Sequence, residues 1–529
     1  MIGAAAPEEL GLVISGLLVA RRAWRFFTFT DTPPDPNDPL VPLSPATTPA
    51  LLAAAPGLAY SRGVQHRILV RLALAGTAAL LATAGCDPAA TPEAAAPVAA
   101  PATPAAPKAG AYNVLVVVMD TLRADALGAY GQQRPTSPVF DTFASEGVLF
   151  ETAWTQYTWT LPSFVSYMTS SWARTHGWDY SMGKLDTYKV LDSKTPTMAD
   201  VFTKAGYATS GHFANMHLKA ELGFGRGFET WQLGTEAATV RAAVADIGKW
   251  KDDGKPNFLY VHLMAPHVAL LPTPESQAAI GVSVAYEPKK GISYDHYVAA
   301  PPELKEQRRQ ELVDAYHACV RDGDNDLAEI LSALKASGAA EETVVGFWSD
   351  HGEMLGEHTH IGHNQYVWQE VVKVPLVIKA PGLAPRRESQ RVGRLIDAAP
   401  TLVKLAGLTP PPEWQGQSLF EGEQPIVAAE RDALVTFLQN GWKSVEDRTK
   451  DKFMYAHDLT TDPQELTQVK DVANPGVAPL ILTAQAWRAQ VPQGENTGGD
   501  LTLDAAAHAE TVQQLEALGY TDKPDAAPK

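Results

Sequence analysis

Residues 113–163 read NVLVVVMDTLRADALGAYGQQRPTSPVFDTFASEGVLFETAWTQYTWTLPS. Asn113 to Met119 is a nearly unbroken apolar, β-branched run, the pattern of a strand buried on both faces, and it ends on Asp120 with Thr121 and Arg123 just beyond. A carboxylate therefore stands where a buried strand surfaces. Further on, Thr160 precedes Leu161 and Pro162, and a proline there suits the first turn of a helix over LPSFVSYMTS. The Thr160 hydroxyl is expected to face outward at that helix N-terminus, where backbone N–H groups favour an anion.

The same pattern recurs twice. Phe258 to Leu263 reads as a strand followed by Pro266-His267, and Val344 to Trp348 as a strand that exits through Asp350-His351-Gly352. Open α/β sheets gather their sites at the carboxyl ends of strands, so these three exits are expected to converge on one crevice. Helices are expected over 197–207, 303–336 and 395–408, and strands around 208–213 and 371–382. Within 303–336, Asp322, Asp324 and Asp326 mimic a calcium loop, but Leu327 stands where such a loop needs glycine. A solvated helix face is the expectation there. GFGRGF at 223–228 lacks the strand-to-helix setting of a dinucleotide fingerprint and reads as turn chemistry. Beyond Pro410 the segments VTFLQNGWKSV and KFMYAHDLTTDPQEL suggest a small antiparallel subdomain, and DAAAHAETVQQLEALGY a terminal helix.

With 529 residues and 45% hydrophobic content the chain can bury a large core. Its formal net charge of -17 argues against nucleic acid as a partner, because counterion release needs a basic face. The two cysteines, Cys86 and Cys319, are too few for a disulfide framework.

Residues 65–85 carry Arg67 and Arg71 ahead of an apolar stretch that runs from Leu72 to Gly85 and stops at Cys86, the layout of a signal peptide too short to span a bilayer comfortably. Ala84 and Gly85 before Cys86 resemble a lipoprotein cleavage site, so a lipid on Cys86 would tether the exported chain to a membrane, periplasmic or at the cell surface. Residues 1–63, with a Pro-rich tract, offer no packing pattern and are expected to be a disordered, overextended start. The organisation read from sequence is therefore 1–63 disordered, 64–86 signal, 87–110 an Ala/Pro linker, 111–410 a catalytic domain and 411–529 a C-terminal subdomain and tail.

The segments DTLRADALGAYG, TSPVFDTFASEGVLFETAW, WTLPS, SDHGEMLGEH and DLTTDPQEL, in this order, resemble the sulfatase family of the alkaline phosphatase superfamily over roughly residues 112–470. The resemblance implies an α/β/α sandwich with a mixed central sheet, a small C-terminal antiparallel α+β subdomain, and a divalent metal beside a covalent nucleophile. Two departures stand out. Sulfatases pair two aspartates at the first strand's end, where this chain has Asp120 and Thr121; and their nucleophile is a formylglycine made from a Cys/Ser-x-Pro-x-Arg motif, where this chain has Thr160-Leu161-Pro162-Ser163-Phe164.

On that resemblance Asp120, Asp350, His351 and the Thr160 oxygen are the expected ligands of one divalent cation, Ca²⁺ or Mn²⁺ foremost, with Mg²⁺ or Zn²⁺ also compatible. Such an ion favours the alkoxide and draws charge from the ester under attack. His363 and His267 are expected to steady the anion and protonate the leaving oxygen. His358 and His360 are read as ordinary histidines, and Arg123 with Asp125 as an ion pair at the edge of the site. The function expected is hydrolysis of a sulfuric or phosphoric ester of a small molecule, glycan or lipid through a Thr160 nucleophile. A formylglycine hydrate sheds sulfate by elimination from its second hydroxyl; a threonine cannot, which makes phosphorus at least as good a target. The alternatives are a phosphoethanolamine-type transferase and a non-catalytic binding lipoprotein.

Overall fold

The computed structural model describes residues 112–502, apart from 179–186, 253, 288–289, 364–365 and 495–496. The signal-like segment, Cys86, the linker and the expected terminal helix lie outside the described residues.

The opening strand, β1 (Asn113–Met119), is buried along its whole length. It runs parallel between two neighbours that are equally buried, β5 (Asn257–Leu263) and β6 (Thr343–Ser349). The central sheet is completed by β2 (Val148–Phe150), β3 (Ala208–Phe213), β4 (Thr230–Leu233), β7 (Leu376–Lys379) and β8 (Arg386–Glu388), in the order β8-β2-β7-β6-β1-β5-β3-β4. Only β7 opposes the rest, pairing antiparallel with both β6 and β2, so the sheet is mixed. The 371–382 segment contributes a shorter strand than its sequence suggested, because residues 369–372 coil into one helical turn first.

Side chains alternate along a strand, and β1 feeds two cores accordingly. Val114, Val116 and Val118 pack with Phe164, Tyr167 and Met168 of α2 (Thr160–Thr169), Phe202 of α3 (Met198–Lys204) and Leu402 of α6 (Ala398–Leu405). Leu115, Val117 and Met119 pack on the other side with Phe140 of α1 (Pro138–Ser145), Val240 of α4 (Glu236–Ile247) and Tyr316 and Ile330 of α5 (Lys305–Ala336). The architecture is the α/β/α sandwich that the two-sided burial of β1 demands.

The aspartates of α5 are not a solvated face. Asp324 is 2% exposed and accepts hydrogen bonds from Val139 N (3.0 Å) and Phe140 N (2.7 Å), closing the N-terminus of α1. Asp322 accepts from Thr273 N at 2.9 Å and from the Thr273 and Ser276 hydroxyls. The GFGRGF glycines do form turns: Gly223 and Gly227 have φ near +85°, a region that costs glycine little.

After α6 the chain builds a four-stranded antiparallel meander, β9 (Val427–Arg431), β10 (Leu434–Gln439), β11 (Trp442–Asp447) and β12 (Lys452–Asp458). It is backed by α7 (Val477–Gln490), whose Leu480, Ala484 and Trp487 pack on Val435 and Phe437. The sequence reading had no helix there; VAPLILTAQAWRAQ is apolar almost all round and shows little of the one-sided periodicity that marks a surface helix. No helix among the described residues is long and apolar enough to cross a membrane.

Candidate active site

Register brings the strand exits together. Met119 stands opposite Ser349 on one side and Leu263 on the other, so Asp120 and Asp350 emerge side by side, and Asp120 N donates to Leu263 O at 2.9 Å. The exit of β6 is pinned by the hydrogen bonds Gly352 N to Val371 O (2.8 Å) and Glu353 N to Glu370 O (3.0 Å). Any Cβ on Gly352 would collide with the Glu370 carbonyl oxygen.

Thr160 opens α2 and is 1% exposed, with every residue of that helix buried. This overturns the outward-facing hydroxyl expected from sequence: the helix is buried along its whole length, and Thr160 meets the exit of β6 at His351 instead of solvent. Ser163 Oγ ties the helix down by donating to Asp350 O at 2.8 Å.

His351 uses Nδ1 to donate to Gly352 O at 3.0 Å, which assigns the proton to Nδ1 and leaves Nε2 as a lone pair. Burial, and then the charge of His363, pull its pKa down to about 3, so the ring is neutral. Thr160 Oγ1 lies 3.3 Å from Nε2. The same nitrogen is 3.4 Å from Asp350 Oδ2 and 3.9 Å from Asp120 Oδ1.

Those two carboxylate oxygens, Asp120 Oδ1 and Asp350 Oδ2, are fully buried and have no hydrogen-bond partner. The other oxygen of each is engaged. Asp120 Oδ2 accepts from Asn215 Nδ2 at 2.6 Å and from His262 Nε2 at 3.2 Å, and Asp350 Oδ1 accepts from Thr121 N at 3.2 Å and His351 N at 2.9 Å. Behind His262 runs a relay in which Tyr260 OH donates to His262 Nδ1 and Tyr167 OH to Tyr260, each at 2.7 Å. Burial raises Asp350 far above the ordinary carboxylate range, and the neighbouring Asp120 charge adds to it. Burial opposes ionisation of Asp120 too, but His267 and the hydrogen bond from His262 hold it below its usual value.

Two adjacent buried carboxylates with unpartnered oxygens are what a cation would satisfy. Asp120, His262 and Asp350 offer ligand atoms all within 4.8 Å of one another, a possible metal site. His262 and His351 thus compete for the nitrogen position. His262 Nε2 is spent on the engaged oxygen of Asp120, whereas His351 Nε2 faces both orphaned oxygens, which favours His351 as ligand and His262 as its support.

His363 is fully buried and its ring centroid is 4.3 Å from that of His351 and 5.6 Å from that of His267. Its Nδ1 lies 3.2 Å from Glu353 Oε1, and Tyr294 OH donates to Glu353 Oε2 at 2.7 Å. Burial lifts Glu353 to about 7. All the residues singled out in the sequence, Asp120, Thr160, His267, Asp350, His351 and His363, therefore meet at one place. His358 and His360 stay out of it, stacked on Trp368 and Tyr366. Arg123 forms the expected pair with Asp125 at 2.7 Å and also reaches Glu357 and the Glu353 carbonyl, bracing the DHGE turn.

Both departures from the sulfatase pattern have structural content. Thr121, in place of the second aspartate, has φ +56°, a strained left-handed conformation for a β-branched residue. Phe164, in place of the motif arginine, is fully buried in an aromatic cluster with Tyr167, Phe224, Trp231 and Tyr260, and adds no charge to the site. Asn215, His262 and Glu353 escaped the sequence reading. A histidine inside the apolar run NFLYVHL was a usable signal, and Asn215 sits just past β3, where the strand-exit rule applies as well.

A buried acid–imidazole cluster lies at the carboxyl ends of adjacent parallel strands and faces a hydroxyl at a helix start, and with the match that follows it marks an ester hydrolase of the alkaline-phosphatase-like class. A sulfatase family model matches residues 112–408. The chain belongs to the sulfatase family. It is 27% identical over 361 residues to the ulvan-active sulfatase of Formosa agariphila, covering 61% of this chain and 67% of that protein. Among solved structures it is similar to a protein in complex with its substrate D-glucosamine-2-N,6-O-disulfate, with TM-score 0.60, 17% identity and coverage of 72% and 98% of the two chains. It is also similar to the phosphonate monoester hydrolase of Agrobacterium radiobacter, with TM-score 0.57, 21% identity and coverage of 74% and 97%.

Proposed function

We propose that this chain hydrolyses sulfuric or phosphoric esters with Thr160 as the nucleophile, and that Asp120, Asp350, His351 and the Thr160 oxygen hold one divalent cation. The observation that carries the reading is the Thr160 hydroxyl, 3.3 Å from an unprotonated His351 Nε2 and beside carboxylate oxygens left without partners. A divalent ion bound there would neutralise the paired carboxylates and lower the cost of the threonine alkoxide. The donor set of two carboxylates, one imidazole and one hydroxyl suits Ca²⁺, Mn²⁺, Mg²⁺ or Zn²⁺.

The residues divide the rest of the work. The Thr160 hydroxyl passes its proton to the His363–His267 pair, and its oxygen forms a bond to phosphorus or sulfur as the bond to the ester oxygen breaks. His363, held through Nδ1 by Glu353, and His267 are the groups placed to give that oxygen its proton. Water then cleaves the threonyl ester and restores the hydroxyl. A threonyl sulfate has no second hydroxyl from which to eliminate, so attack at phosphorus gives the more readily hydrolysed intermediate. The names of its relatives make sugar esters the first substrate class to examine, alongside lipid and small-molecule esters. The signal-like segment before Cys86 supports a site of action outside the cytoplasm, and a lipid on Cys86 would tether the activity at the periplasmic or outer surface.

The test is an assay of the metal-analysed protein on an aryl sulfate, a phosphate monoester, a phosphate diester and a phosphonate ester. Turnover of the diester or phosphonate above the sulfate, lost in Thr160→Ala, is expected. Efficient sulfate release dependent on Thr160 would return the chain to sulfate chemistry, and transfer of label to an acceptor alcohol instead of water would make it a transferase. A Thr160→Ala protein with wild-type rates would reject the covalent mechanism.

A further inference from the structure

Phe164 provides no charge, and a buried arginine from a different part of the chain packs beside the loop that precedes Thr160. Arg431 is the last residue of β9, and the meander delivers it to the loop before Thr160: Glu430 N donates to Gln156 O at 2.9 Å, and the Arg431 guanidinium lies over the Tyr157 ring at 5.6 Å. Arg431 is 3% exposed, yet its Nε and Nη1 have no hydrogen-bond partner. Its nearest anion is Asp432, half exposed, at 3.2 Å from Nε without hydrogen-bond alignment. Arginines sealed to a similar depth elsewhere are fully engaged: Arg394 with both oxygens of Asp397, and Arg123 with Asp125 and Glu357.

A buried guanidinium with two unsatisfied nitrogens is costly, and donors left unfilled at such a place are the form an oxyanion site takes before its ligand arrives. The Tyr157 ring beneath the guanidinium belongs to the segment that leads directly into α2, so the unfilled donors sit beside the loop that carries Thr160.

We infer that Arg431 binds the non-bridging oxygens of the ester group under attack and is a substrate-contacting residue of this site. The inference rests on the Thr160 reading for its reaction but not for its binding. Its ligand is a tetrahedral oxyanion, phosphate or sulfate, and a guanidinium grips two of its oxygens where an ammonium holds one. A cation there stabilises charge that grows on those oxygens during transfer, so the effect belongs in kcat/KM as well as in binding.

The experiment measures inhibition by inorganic phosphate, and kcat/KM for a phosphate diester, in metal-loaded wild type, Arg431→Gln, Arg431→Lys and Asp432→Asn. Arg431→Gln is expected to weaken phosphate inhibition roughly tenfold or more and to lower kcat/KM on the order of 10²-fold, with metal content unchanged. Arg431→Lys should recover part of both, and added guanidinium ion should partly rescue Arg431→Gln. Asp432→Asn, which tolerates the left-handed backbone at that position, should stay near wild type. Wild-type phosphate inhibition in Arg431→Gln, or an equal loss in Asp432→Asn, overturns the assignment and makes the pair structural. Should Arg431→Gln fail to fold, Arg431→Lys decides: full retention of phosphate affinity and rate there sinks the bidentate contact. If the wild type turns over no ester, direct calorimetric titration with phosphate still tests Arg431, so the two readings fail separately.

Discussion

Thr160 Oγ1 and His351 Nε2 face each other at 3.3 Å across the ends of β6 and α2, and both residues are sealed from solvent. The Nδ1 bond to Gly352 leaves Nε2 as the lone pair of that ring, on the side that faces the hydroxyl. Thr160→Ala removes this oxygen and should lower kcat by at least roughly 10³-fold, as loss of a nucleophile does elsewhere. The site is buried, so the variant also loses a methyl's worth of packing, about 1 kcal/mol, visible as a small drop in melting temperature. Thr160→Ser keeps the hydroxyl and should keep measurable turnover. Steady-state rates beside thermal melts separate the two effects.

The strand exits were legible because burial on both faces writes itself into sequence as an uninterrupted apolar run, and the first polar residue after it is forced to the rim. Asp120, Asp350-His351 and Pro266-His267 were all found that way. Thr160 was located by its proline, but its exposure was misjudged, since nothing local tells a helix that enters the core from one that lies on the surface. His262 hid inside a strand that otherwise reads as pure core, and its role follows from the register with β1 alone. Arg431 had no local signal at all: an arginine ending a short strand of a C-terminal meander becomes part of the site only through the packing of that meander against the Gln156–Tyr157 loop.

Asp324 offers a test of the fold apart from the chemistry. It caps α1 from α5 through two backbone N–H groups, and Asp324→Ala leaves both unsatisfied in a buried place. A loss of about 1–3 kcal/mol is expected in denaturant melts. Metal content and kcat should be unaffected, because α1 lies on the face of the sheet that Thr160 does not occupy.

His176 carries a pH signature. It is engaged by Ser166 Oγ at Nε2 (3.0 Å) and by Trp178 N at Nδ1 (3.0 Å), and burial pulls its pKa from 6.5 to about 3. A group depressed in the folded state contributes stability that is present above its unfolded pKa and is lost as pH falls toward the folded one. Stability should therefore decline between pH 6.5 and about 3, since the unfolded chain takes up a proton there that the folded chain refuses. His176→Gln should be less stable than wild type at pH 7 and lose less over that window, so the two melting curves converge on the acid side. Parallel curves would remove His176 from the acid response.

Asp120 and Asp350 make the sharpest prediction for the metal. In the absence of a cation the burial of Asp350, and after it the neighbouring Asp120 charge, are unfavourable to its ionised form, as its upward shift records. Asp350→Asn keeps an oxygen for Thr121 N and His351 N and places an amide donor near the orphaned Asp120 Oδ1, so it removes the repulsion without removing the fold. The chelated variant should melt at or above the chelated wild type. The metal-loaded comparison should run the other way: a site filled at 100 times its Kd stabilises the wild type by about 2.7 kcal/mol, and the variant lacks that ligand. Chelation should thus lower the melting temperature of wild type by several degrees and leave Asp350→Asn almost unmoved. Stoichiometric metal in the variant, or a wild type indifferent to chelator, would mean that these carboxylates hold no cation.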